Sequence, residues 1–91
     1  MAARPKIDPQ KFEDACIQVR TEFKDKKFRL TGKNFDNRVS IKPSYKDRIR
    51  KYFVRFEVVI GTTSYYPAEM IMRLSVLLDV YVTDIAKFKR K

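Results

Sequence analysis

Cations carry most of the chemistry available to this chain. Lys42, Ser44, Tyr45, Lys46 and Arg48 fall within seven residues, and Lys33, Arg38, Arg50 and Lys51 flank them. Between Lys26 and Lys51, ten Lys and Arg face two acids, Asp36 and Asp47, for a local net charge of +8. A concentrated positive field on a small protein suits phosphate, because neutralising phosphates releases condensed counterions and drives association. The planar guanidinium of Arg48 can donate to O6 and N7 of one guanine together. Lys33, Arg38, Arg50 and Lys51 suit phosphate oxygens. The flanks are weaker: residues 1–25 hold five charges of each sign, residues 52–86 net −2, and Lys87–Lys91 add +4 toward the total of +10.

Catalytic equipment is sparse, so an enzyme is not expected. The chain has no His, which removes the commonest general base and transition-metal ligand. A single cysteine, Cys16, offers neither a disulfide nor a zinc site, and Gly32 and Gly61 are too few for a phosphate-cradling glycine loop. No metal or cofactor is implied. One cysteine, no secretory pattern in MAARPKIDPQ and no apolar run near 20 residues lead us to expect an intracellular protein, cytoplasmic and nucleoid-associated, or nuclear in a eukaryote.

Ninety-one residues at 44% apolar and 35% charged make one domain rather than a disordered tail. Asp8-Pro9 marks a helix start, and Phe12, Cys16, Val19 and Phe23 recur at helical spacing, predicting a helix over 9–25. Lys27–Leu30 alternates and predicts a short strand or extended link. Thr31 then caps a short helix over 32–39 with Phe35 and Val39 inward. Ser40–Pro43 predicts a tight break, because the residue before proline is pushed out of helical geometry. A basic helix follows from Pro43-Ser44, with Tyr45, Ile49, Tyr52 and Phe53 as its apolar positions.

Residues 53–60 alternate, with Val54, Phe56, Val58 and Ile60 on one side, which predicts a strand; continuation of the preceding helix is the rival. A turn over 61–64, with Thr62 and Thr63 at its tip, and a short return strand at Tyr65-Tyr66 complete a hairpin. The helix predicted over 67–78 has a wide apolar face, Met70, Ile71, Leu74, Leu77 and Leu78, suited to the core or to pairing two copies. Thr83 caps a final turn or two before the basic tail at 87–91.

The segment Thr31–Ile49 resembles the helix-turn-helix of DNA-binding regulators. A Thr caps the first helix, and Phe35, Val39, Ile41 and Ile49 fall four, eight, ten and eighteen positions after it. Asp36, Ser40 and Lys46 depart from the family pattern. The resemblance implies an α+β, mainly helical, winged helix-turn-helix-like domain over 1–86. It implies a recognition helix presenting Lys42, Ser44, Tyr45, Lys46 and Arg48 to the major groove, and a wing touching the backbone through Thr62 and Thr63. Arg4 and Lys6 would form a minor-groove arm.

The expected activity is sequence-specific binding of double-stranded DNA, as a small transcriptional regulator or architectural factor, by a homodimer paired through the 67–78 helix. Two alternatives stand beside it. One is a ribbon-helix-helix unit built from 53–91. The other is an RNA- or ribosome-binding adaptor, or a partner-protein module, using the 26–51 block, with Phe28, Tyr45 and Tyr52 available to stack on bases.

Overall fold

The structure, a computed structural model, describes residues 7–28 and 38–87. Its order is α1 (Pro9–Glu22), β1 (Arg38–Ile41), α2 (Pro43–Phe53), a 3-10 turn (Val54–Phe56), β2 (Val58–Ile60), β3 (Thr63–Pro67), α3 (Ala68–Leu78), α4 (Val82–Ile85) and β4 (Ala86–Lys87). The strands form one sheet in the order β2-β3-β1-β4, antiparallel at every pairing. The domain is α+β and mainly helical.

Helix α1 starts as its sequence dictates. The Asp8 carboxylate accepts from the Gln10 N–H at 3.1 Å, and Pro9 takes the first helical turn, where its missing donor costs nothing. Phe12, Ala15, Cys16 and Val19 are buried. The helix stops at Glu22 rather than 25. The chain turns there, with the Lys26 N–H donating to the Phe23 carbonyl at 3.1 Å, and Phe28 folds back to stack on Phe23 at 6.0 Å.

The helix expected over 32–39 lies mostly outside the described residues, but its last two positions are corrected. Arg38, Val39 and the expected break at 40–41 form strand β1. Val39 pairs with Tyr66, Ser40 with both Tyr65 and Lys87, and Ile41 with Ala86. The i,i+4 match of Phe35 to Val39 is overridden by the two-residue alternation of Val39 and Ile41, both buried in the core. A helix therefore does not run into a turn at 39–41.

Strand 53–60 is also shortened. Phe53 ends α2, Val54–Phe56 forms a 3-10 turn, and only Val58–Ile60 is strand. Phe53 and Phe56 are both buried at helical spacing, so helical packing wins where the two periodicities overlap. Gly61 (φ +63°) and Thr62 make a two-residue hairpin turn, a geometry that favours glycine at a positive φ. Thr63 accordingly belongs to β3 and not to the turn.

By register, Val39, Ile41, Tyr66 and Ala86 share one sheet face, and all four join Ile49, Met70, Ile71, Leu74 and Ile85 in the core under the helices. Helix α3 buries Met70, Ile71, Leu74, Ser75 and Leu78 within its own domain and leaves Met72 and Val76 exposed. The last helix starts at Val82 with Tyr81 in the cap position, so Thr83 is not its cap, and Ala86-Lys87 adds a strand that was not expected. The ribbon-helix-helix alternative does not fit. Strand β2 is paired with β3 of the same chain, and α4 has four residues. No helix among the described residues is long and apolar enough to cross a membrane.

Candidate functional site

Helix α2 divides its charges between two flanks. Lys46 and Arg50, four residues apart, face the β2–β3 hairpin. Arg48 faces α1, where its guanidinium lies 5.9 Å from the centre of the Phe12 ring, and the Lys51 ammonium lies 5.5 Å from the ring centre of Tyr52, its neighbour on α2. Ser44, Asp47, Arg48 and Lys51 are all exposed. Asp47 is the one acid on α2.

The hairpin flank forms a cavity of about 390 Å³ between the start of α2, the β2–β3 turn and the ends of β1 and β4. Lys46, Thr62, Thr63 and Lys87 line it with Ser40 and Ser64, over a floor that includes Tyr65. Ser40, Thr63, Tyr65 and Lys87 share one sheet face by register, the face opposite the core residues. The Ser40 hydroxyl donates to the Lys87 carbonyl at 3.2 Å, which ties β4 to β1 at the cavity's edge. No carboxylate lines the cavity among the described residues. Two ammonium groups beside several hydroxyls can neutralise and hydrogen-bond an oxyanion.

A brace holds the hairpin against α2. The buried Tyr66 hydroxyl donates to Glu57 Oε2 at 2.7 Å, and Arg50 Nε lies 3.4 Å from Glu57 Oε1. Burial, and then the bond to Glu57, push the Tyr66 phenol well above its ordinary range. Arg50 is thus engaged within the protein, although its side chain is 58% exposed.

The expected site residues therefore separate. Lys46, Thr62 and Thr63 converge, joined by Lys87, Ser40 and Ser64. Ser44, Arg48 and Lys51 are exposed on the same helix and do not line the cavity. Lys42 and Tyr45 turn elsewhere, into a cavity of about 840 Å³ shared with Val76, Asp79, Tyr81 and Asp84. The Tyr45 ring stacks on Phe12 at 5.5 Å and 10°, so its groove role is corrected to packing. Arg38 is corrected too: it is 7% exposed, with its guanidinium 5.3 Å from the Tyr65 ring centre, and it does not face solvent as a phosphate contact. Lys33, Asp36, Arg4, Lys6 and residues 88–91 lie outside the described residues.

By sequence pattern Lys87 belongs to the basic tail and Ser40 to a tight break. Only the pairing of β1 with β4, 47 residues apart in sequence, places them at the cavity. The rings proposed for stacking are also engaged: Phe28 with Phe23 and Phe56, and Tyr52 with the Arg20 guanidinium at 5.8 Å. Compared with family models, curated proteins and solved structures, the chain gives no match.

Proposed function

We propose that this protein binds double-stranded DNA by occupancy, with α2 in the major groove and the β2–β3 turn against the adjoining backbone. The observation that carries the reading is the convergence of Lys46, Thr62, Thr63 and Lys87 on one cavity beside the exposed basic side of α2. The order β1–α2–hairpin, with β1 beside β3, supports a basic helix flanked by a wing, in which α2, entered directly from strand β1 rather than across a helix-turn, takes the recognition role and Gly61-Thr62 the wing tip. Arg48 and Ser44 face base edges, Lys51 the flanking phosphates, and Lys46 and Lys87 the phosphate at the wing.

Duplex DNA is favoured over RNA because Phe28, Tyr45 and Tyr52 are packed against protein groups rather than presented to unstacked bases. Two copies pair through the outer side of α3, where Met72 and Val76 are exposed, and the matching DNA site is two half-sites about one turn of DNA, ~34 Å, apart. The role is regulatory or architectural. Fluorescence anisotropy with a labelled duplex tests the site: Lys46→Glu with Lys87→Glu weakens binding at least tenfold, whereas undiminished affinity contradicts the assignment. Sedimentation giving a monomer with and without DNA would remove the dimer.

A further inference from the structure

The far end of α2 carries a second basic cavity. It measures about 520 Å³ and lies between the turn that ends α1 and the 3-10 turn that follows α2. Lys24, Lys27 and Arg55 are exposed around it, against one acid, Asp25. The aromatic contacts give it a fixed frame. Phe28 stacks on Phe23 and meets Phe56 edge-on, both at 6.0 Å, which pins the 24–28 segment to the end of α2. Lys26 is paired with Glu69 and lies over the Phe23 and Phe28 rings at 5.5 and 5.4 Å, so it is part of the frame.

Further cations lie along the α1 flank of α2. Arg48 lies over Phe12, and Arg20 and Lys51 lie over Tyr52, along the seam where α1 packs beside α2. The eleven residues of α2 span about 16 Å at 1.5 Å per residue. The major groove is about 12 Å wide. Groups beyond the two ends of a helix set in the groove lie farther apart than the groove is wide, so a phosphate-binding group at each end meets a different strand.

We propose that Lys24, Lys27 and Arg55 hold the sugar-phosphate backbone of the second strand, opposite the strand held by Lys46, Lys87 and the hairpin. The inference rests on the duplex-binding reading and deepens it. The interface becomes a two-point clamp across one major groove, with cations from α1 and the 3-10 turn as well as α2. Single-stranded nucleic acid, with one backbone, cannot occupy both ends in this way.

The test uses the full chain carrying Lys24→Ala, Lys27→Ala and Arg55→Ala together, with a Lys24→Arg, Lys27→Arg, Arg55→Lys control that preserves charge. Duplex affinity is measured from 50 to 200 mM salt, and phosphate-ethylation interference is mapped on both strands. Each lost phosphate contact reduces the log–log salt slope by about 0.9, so the alanine variant loses roughly 2 to 3 from its slope while the control keeps the wild-type value. Interference disappears from one strand only. An alanine variant with wild-type slope and two-strand interference, in a chain whose binding still depends on Lys46 and Lys87, overturns the second clamp and leaves the duplex reading standing. Wild-type protein with no salt-dependent duplex binding would instead remove the reading beneath it.

Discussion

Tyr66→Phe isolates the brace that fixes the hairpin relative to α2. The substitution keeps the buried ring, so core volume is conserved and the loss is confined to the hydroxyl. That hydroxyl donates at 2.7 Å to Glu57, whose side chain is 7% exposed and whose other carboxylate oxygen has the longer 3.4 Å approach of Arg50. A hydrogen bond to a charged group contributes about 1.5–3 kcal/mol, and 1 kcal/mol moves Tm by about 4–8 °C in a domain of this size. Tyr66→Phe should therefore lower Tm by roughly 6–24 °C in thermal melts followed by far-UV circular dichroism. Adding Glu57→Gln should be clearly non-additive with it, since the two residues share one bond. The high phenol pKa gives a pH signature as well. Unfolded tyrosine ionises near pH 10 while the folded Tyr66 stays protonated, so this contribution is complete below about pH 10 and is lost as pH rises above it. Tyr66→Phe should show a shallower alkaline decline. A melt within about 0.5 kcal/mol of wild type, or additive substitutions, would refute the brace.

Other outcomes follow from single residues. Burial, with the nearby Glu13 charge, pushes the Cys16 thiol up to about 12, so iodoacetamide should label it only after denaturation; rapid labelling of the native protein would contradict its place on the inner face of α1. Unfolded Cys ionises below that value, so Cys16 contributes to stability below about pH 8.5 and loses that contribution as pH rises beyond it. Gly61→Ala meets no atom within 4 Å but must hold φ +63°, so it should cost about 1 kcal/mol through backbone strain alone; a stabilised variant would mean the turn is not as described. Asp47→Asn removes the one acid on α2 and should tighten duplex binding several-fold at low salt, and weaker binding would place α2 away from the phosphates.

The helices were legible because their signals are local. Asp8-Pro9, Pro43 and Pro67 mark three starts within a residue or two, and Phe12–Val19, Ile49–Phe53 and Met70–Leu78 carry the buried stripe through each helix. The strands were harder to read because their partners are remote. Nothing near Arg38–Ile41 announces that Ser40 will sit between Tyr65 and Lys87, or that Ala86-Lys87 will close the sheet. Residues 53–56 satisfy both periodicities, and only the joint burial of Phe53 and Phe56 decides between them. The same division governs the site. Basic α2 and the hairpin threonines were visible as composition and turn chemistry, whereas Lys87 became part of the site through long-range pairing, and Arg38 left it for the same reason.

The measurement closest to the central claim is the salt dependence of binding to duplex DNA, single-stranded DNA and RNA of one sequence. Six duplex phosphates engaged by α2, the wing cavity and the far end of the helix predict a log–log slope near −5, with duplex DNA bound most tightly at every salt concentration. Tighter binding to RNA or to single strands, or a duplex slope near zero, would contradict it.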